Sequence, residues 1–573
     1  MSAALRKRTY PVGLALTLFC LVVFLLAACG GGTQTTSAQK APASKQVLIY
    51  PEAGVTDIAT FDPGLSTDLY SIQAIDMVFT GLVQLDNNLA IQPQLASSWE
   101  TSADGLTWTF HLKPNLRFSD GTPLTSADVA YSIDRALQPA EHSTTAPIYL
   151  ALIKDADLLQ KGKIKTIIND SVQTPDPNTV VITIKKKAAY FLDALTYSCS
   201  YVVEKKLIDT YGKSWTDHLD EGGGAGPFKV QSYQHSKQIV FVPNPYYYGP
   251  KPQLQKVVFP FYQKIDTAYQ AYRAGQVDIA SVPSSYVDQA RKGNDFHLAP
   301  QLWINYYAMN YLVKPFDSIN IRRAFALAIN KDEIVHAVWK DIYIPTNHIV
   351  PKGMPGYNSN LKGPDGTTST AGNPAQAMQY LQAGLKDEGL TSISQLPPIT
   401  LTYPSGSADS DREVAALTQM WQRVLGITVK THAEDFNKLL DDIVAATNNP
   451  HGLQFWGIAW IADYPDPQDW LTLQFDAGVP NNNMNYGQNH SPDASQQQAT
   501  QKLLEQADAM PNGPARYQAY NQAEQQLIND VAWLPMEQVQ APYVVKTYVH
   551  GFFYNPQQLI PPDYWSQIYI TQH

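Results

Sequence analysis

The apolar and polar positions along this chain follow two different periods. Val47-Leu48-Ile49-Tyr50 is a short apolar run of strand character. Trp108-Thr109-Phe110-His111-Leu112 alternates apolar and polar residues, and Val180-Val181-Ile182-Thr183-Ile184 is β-branched throughout; both predict strands. Elsewhere the period lengthens to that of a helix. Thr125-Ser126-Ala127-Asp128 has the form of a capping box with Asp in the Glu/Gln place, and it opens a helix carrying Val129, Ile133 and Ala136. Asn330 before Lys331-Asp332-Glu333 predicts the cap of a helix running toward Trp339. Leu417, Met420, Trp421, Val424 and Leu425 fall on one stripe that Gly426 ends, and Ile427-Thr428-Val429-Lys430 then reads as a strand. Two long polar, amphipathic helices are expected at about 496–510 and 516–529. Strands and helices mixed along the whole length predict an α/β fold, with no internal repeat.

The N-terminus is a targeting segment. Arg6, Lys7 and Arg8 precede an uncharged apolar run from Pro11 to Ala28, which ends Leu26-Ala27-Ala28-Cys29-Gly30. A basic start, an apolar stretch and small residues before a cut site form the secretory pattern. The cysteine directly after Leu-Ala-Ala resembles the lipobox of bacterial lipoproteins. This implies a signal peptide over 1–28, removal before Cys29, and diacylglycerol on the Cys29 sulfur. Two or more acyl chains anchor stably, at about 0.8 kcal/mol per buried CH₂. The competing reading is an uncleaved anchor, since the run only just reaches the length that spans a bilayer. Residues 29–45, rich in Gly, Thr, Ser, Gln and Ala, read as a flexible tether.

Composition narrows the function classes. Of 573 residues, 44% are hydrophobic and 16% charged, too apolar for a disordered chain. The formal net charge of −10 and the lack of a basic block beyond the N-terminus argue against nucleic-acid binding. The cysteines are Cys20, Cys29 and Cys199; the first leaves with the leader and the second takes lipid. Cys199 then stands alone, which excludes an internal disulfide or a multi-cysteine zinc site and makes it a buried apolar residue. No metal or cofactor is expected.

Catalytic motifs are missing. There is no Gly-x-Ser-x-Gly elbow, His-Glu-x-x-His pair or Walker A loop, and no ligand-spaced histidine pair. Gly222-Gly223-Gly224-Ala225-Gly226-Pro227 lacks dinucleotide spacing and reads as a tight turn before a strand at Phe228. Asp463, Asp466 and Asp469 are spaced by three, but Pro465 and Pro467 keep them off one helical face. Asp466 and Asp469 are the only local candidates for a paired acid and base, so a secreted hydrolase remains the alternative of another class.

A long series of segments is recognisable as a set. It begins with Phe61-Asp62-Pro63, Gln92-Pro93-Gln94-Leu95-Ala96-Ser97-Ser98-Trp99-Glu100 and Asp104-Gly105-Leu106-Thr107-Trp108-Thr109-Phe110. Phe118-Ser119-Asp120-Gly121-Thr122-Pro123-Leu124-Thr125-Ser126-Ala127-Asp128-Val129 follows, then Gly226-Pro227-Phe228 and Asn244-Pro245-Tyr246-Tyr247. Arg323-Ala324-Phe325-Ala326-Leu327-Ala328-Ile329-Asn330-Lys331, Leu425-Gly426-Ile427-Thr428-Val429 and Trp460-Ile461-Ala462-Asp463-Tyr464-Pro465-Asp466-Pro467 complete it. In this order, over about residues 45–570, the chain resembles the family 5 solute-binding proteins of ABC transporters, the oligopeptide/dipeptide-binding group.

The resemblance implies a two-lobed periplasmic-binding-protein clamp, the large three-domain variant of the type II fold. Domain I would be drawn from 45–86, 225–310 and 526–573, domain II would be 87–224, and domain III 311–525. Crossing strands near 308–310 and 525–531 would act as hinges that close the lobes on a ligand. The implied function is capture of a small peptide in the inter-lobe cleft and delivery to ABC permease subunits. The protein would work as a monomer, lipid-anchored at the outer face of the cytoplasmic membrane or periplasmic. Asp463 matches the family position that takes the peptide's ammonium, with Trp460 three before it. Leu65, Asp68, Tyr70, Phe436 and Tyr464 are the candidate wall residues. Gly457 stands where a well-known relative has an arginine, and Phe436 lies near where it has a tryptophan. No obvious cation for a peptide C-terminus appears in this stretch, and Arg412 and Lys438 are the candidates without a supporting motif. An oligosaccharide or metal chelate in the same cleft is the alternative within the class.

Overall fold

The computed structural model describes residues 39–573 apart from Pro480, without the side chains of Phe436 and Asn437. The leader, Cys29 and most of the tether lie outside the described residues.

Period-two runs form sheets and period-3.6 runs cover them. The segments at 96–101, 107–112, 179–183 and 172–176 form a four-stranded antiparallel sheet in that order. Trp108, Phe110 and Leu112 point to one face with Val180 and Ile182, and Thr109 and His111 point away. Helix Ser126–Leu137 lays Val129, Ile133 and Ala136 into the same core. Its cap is the expected box: Asp128 accepts from the Thr125 N–H at 2.8 Å and the Thr125 hydroxyl at 2.9 Å. Cys199 is buried in this core.

A second core lies under a mixed sheet of Val47–Ile49, Lys256–Tyr262, Gln238–Pro243 and Phe228–Gln234, with Glu52–Ala53 at its edge. Helix Leu69–Val78 buries Ala74, Ile75, Met77 and Val78 there. The Gly224 and Gly226 backbones run so close to Val78 that a Cβ on either would meet its carbonyl at under 3 Å. The glycine cluster is therefore a close-packed turn leading into Phe228.

The largest sheet has seven strands, in the order Ile279–Ser281, Leu534–Val545, Phe296–Met309, Phe455–Ile461, Ile399–Pro404 and Val429–Glu434, with Ile344–Pro345 on the side. The long helix Ala408–Leu425 buries Val414, Leu417, Met420 and Trp421 on it and ends at Gly426, whose φ is 71°. Asn330 caps helix Lys331–Ala337 by accepting from the Glu333 N–H at 3.1 Å.

Two long neighbouring strands join the halves. Phe296 pairs with Val544 beside Ile279–Ser281, and the far end of the same strand pairs Ala308 with Trp456. One expected crossing is displaced. Residues 525–530 close helix Pro514–Asp530, and the second extended crossing is Leu534–Val545. Apolar residues at 519, 520, 523, 527 and 528 keep that segment helical by burying one face. Between the crossing strands the ladder breaks between Pro300 and Ile304, which bulges out Gln301, Leu302 and Trp303.

Candidate functional site

The bulge forms part of a cavity of about 440 Å³ where the structural units meet. That volume lies in the usual small-ligand range of roughly 300–1,000 Å³. Leu302 ties its walls together. Its N–H donates to the Pro556 carbonyl at 3.0 Å, and its carbonyl accepts from the Ala462 N–H at 2.9 Å. The helix starting at Leu69 supplies Thr67, Leu69, Ile72 and Asp76; the loop 556–562 closes another side.

Asp463 lines this cavity directly after strand Phe455–Ile461. Burial pushes its carboxyl up to about 6, against a hydrogen bond from Tyr149 that favours the ionised form. Its N–H donates to the carboxylate of Asp469 at 3.1 Å, and the Trp460 indole N–H donates to the same oxygen at 3.2 Å. Asp469 is fully buried, and burial together with the nearby Asp463 charge holds its carboxyl well above the ordinary range. Asp469 is therefore a brace behind the cavity wall, and Asp463 is the carboxyl of the two that lines the cavity.

The other sequence candidates divide. Trp460 is half-buried and braced on Asp469 rather than open to the cavity. Tyr464 turns away into the core of the four-stranded unit, stacked on Tyr190 with 5.9 Å between ring centroids. Asp68 caps its helix by accepting from the Ser71 N–H at 2.9 Å, and the Tyr70 hydroxyl donates to the Ala53 carbonyl at 2.9 Å. Leu65, Asp68 and Tyr70 do not line the cavity; their neighbours Thr67 and Leu69 do. Phe436 opens helix Phe436–Ala445, and its side chain lies outside the described residues. Arg412 pairs with Asp409, and Lys438 with Glu434 and Asp442.

Asp466 and Asp469 do not form an acid–base pair at the cavity. Asp466 is held by Arg516 through two bonds of 2.5 and 2.7 Å, with both side chains buried. Neither Asp466 nor Asp469 reaches the cavity. Among the described residues no group of three His, Cys, Asp or Glu could hold a metal ion, and no helix is long and apolar enough to cross a membrane.

Sequence reasoning missed Asp76, Gln84, Tyr149, Ser198, Gln301 and Trp303, which all line the cavity. The one local signal was Asp76, a carboxylate inside the apolar run Ala74-Ile75-Asp76-Met77-Val78-Phe79. Among the described residues, the lining contains two carboxylates, Asp76 and Asp463, and no Lys, Arg or His.

The chain matches the bacterial extracellular solute-binding proteins, family 5, middle region, over residues 90–482. It belongs to that family. It is 26% identical over 529 residues to the oligopeptide-binding protein OppA of Bacillus subtilis, covering 91% of this chain and 93% of OppA. It is 28% identical over 534 residues to the dipeptide-binding protein DppE of the same organism, covering 92% and 93%. The unliganded open form of the periplasmic murein tripeptide-binding protein MppA superposes with a TM-score of 0.80 at 26% identity, covering 94% of this chain and 99% of MppA. A second structure, of the Escherichia coli MppA, gives 0.66 at 26% identity, covering 92% and 99%. The fold is the two-lobed clamp that the sequence resemblance implied.

Proposed function

We propose that this protein is the extracytoplasmic substrate-binding lipoprotein of an ABC importer, and that it captures small peptides between its lobes for delivery to the permease. The observation that carries this reading is Asp463, a partly buried carboxylate lining an inter-lobe cavity and oriented through its own main chain by the side chain of Asp469. A peptide ammonium is the group such a carboxylate holds best, because a charge-assisted bond in a partly dry site is about twice as strong as a neutral one. The names of OppA, DppE and MppA point to the same ligand class.

In this reading nothing covalent happens to the ligand. Its task is to favour the closed arrangement over the open one, which requires contacts with both lobes. The domain division is 45–86 with 225–310 and 526–573, then 87–224, then 311–525. Trp460 supports Asp463, and Tyr464 serves as a bearing between the second and third domains. Leu65, Asp68, Tyr70 and Phe436 are assigned to the wall that forms on closure. A diacylglycerol on Cys29 holds the monomer at the membrane.

Native followed by denaturing mass spectrometry of the mature protein, purified without refolding, tests the reading. Copurified masses that sequence as short peptides support it. A copurified sugar or chelate, or turnover of any peptide by the pure protein, overturns it.

A further inference from the structure

The cavity carries a second polar cluster, away from Asp463. Asp76, Gln84 and Ser198 all line it, at 5%, 4% and 2% exposure. Asp76 Oδ1, Gln84 Oε1 and the Ser198 hydroxyl each lack a hydrogen-bond partner among the described residues. Three unpaired buried polar atoms on residues lining one cavity each carry a cost, because burying such a group without a partner costs about 1–3 kcal/mol. The turn Ser198–Ser200 packs against the helix that carries Asp76, so the cluster is built from adjoining elements.

The chemistry of the cluster is one-sided. The Gln84 amide N–H donates to Asp563 at 2.7 Å, which leaves its carbonyl oxygen as the unpaired acceptor. Asp563 is itself fixed by the Tyr247 hydroxyl. A carboxylate, a carbonyl and a hydroxyl together accept N–H donors, and no cationic side chain of the lining competes for them. Burial pushes the Asp76 carboxyl up to about 7, with a hydrogen bond from Tyr201 opposing; this is the environment of a carboxylate without a cation.

We infer that Asp76, Gln84 and Ser198 form a second cation subsite, and that the ligand brings two positive groups into the cavity: an ammonium to Asp463 and a lysine- or arginine-type side chain to Asp76. This rests on the peptide reading above and deepens it to basic peptides. Asp76 and Asp463 stand on different elements, the helix Leu69–Val78 and the end of strand Phe455–Ile461. A ligand with two positive groups therefore ties together parts that a singly charged one does not.

Calorimetry on the full-length mature protein tests this with C-terminally amidated alanine tetrapeptides. Each carries lysine at position 2, 3 or 4, or norleucine at the same position as the neutral isostere. At least one lysine peptide is expected to bind about tenfold or more tighter than its norleucine partner. Asp76→Asn is expected to abolish that ratio while leaving the norleucine peptide within about twofold, with the Tm of the variant as the check on folding. Equal binding of lysine and norleucine peptides overturns the subsite and leaves the peptide reading standing, as does a lysine preference that survives Asp76→Asn. If no peptide binds, 1,5-diaminopentane separates the two ideas. Diamine binding lost in Asp76→Asn keeps the subsite and removes the peptide reading, and no diamine binding removes both.

Discussion

The main-chain N–H of Asp463 donates to the side chain of Asp469, 3.1 Å away. One aspartate thus positions the other, with the Trp460 indole closing the same oxygen at 3.2 Å. Asp469 is fully buried, and burial with the nearby Asp463 charge raises its carboxyl, which disfavours a second negative charge beside the cavity.

Asp463→Ala is expected to weaken binding of any peptide with a free N-terminus by at least about tenfold, or roughly 1.4 kcal/mol. N-acetylated peptides should lose little further affinity in the variant. Equal titration curves for variant and parent would reject the ammonium role.

Asp469 separates bracing from charge. Asp469→Asn keeps an acceptor for both N–H groups and should change stability by less than about 1 kcal/mol. Asp469→Ala leaves two donors unpaired next to a cavity and should cost about 2–4 kcal/mol. Denaturant unfolding of the two variants measures the difference, and an equal loss in both would mean that the carboxylate charge matters in the empty protein.

The raised Asp463 carboxyl predicts opposite pH trends for the empty and loaded protein. Its folded-state value of about 6 lies above the ordinary 3.8, so the empty folded chain holds more protons than the unfolded one between those values. Stability of the empty protein therefore falls as pH rises through that window. Asp463→Asn should remove the fall and be more stable than the parent above pH 6 by roughly 1–3 kcal/mol, with no difference below about pH 4. Peptide affinity should instead rise as pH passes through about 6, because the ammonium needs the ionised carboxylate. Thermal melts and calorimetry from pH 4 to 7.5 read both trends.

Arg516 and Asp466 form a buried bidentate pair, and Asp193 of the four-stranded unit feels both charges. Arg516→Met leaves Asp466 buried without a partner and should cost about 3–5 kcal/mol. The double variant Arg516→Met with Asp466→Leu should recover most of it, because two buried charges are then replaced by apolar volume. A double variant no more stable than Arg516→Met would assign the loss to packing.

Much of the local structure was legible along the chain. The capping box at Thr125, the Asn330 cap and the Gly426 stop depend on residues three or four apart, and such interactions are complete within one turn of helix. The alternation in Trp108–Leu112 fixes a strand and its buried face for the same reason. Asp463 was legible through its Trp-x-x-Asp setting in a recognisable family segment. Tyr464 was not, because its position beside Asp463 says nothing of which way the chain turns at Pro465. Only the packing of Tyr190 and Tyr149 decides that Tyr464 leaves the cavity.

The amino-acid order alone determined the alternation of strands and helices and the family to which they belong, since each is written in short-range spacing or in a run of consecutive motifs. The tertiary structure alone decided the composition of the cavity. Asp76, Ser198, Trp303 and Asp463 are separated by about a hundred residues or more at each step, and long-range pairing brings them together: the crossing strands 296–309 and 534–545 and the bulge at 301–303. The absence of any cation from that lining is likewise a property of the assembled walls. No local sequence pattern records it, because a side chain's neighbours across a cavity are set by packing and not by position along the chain.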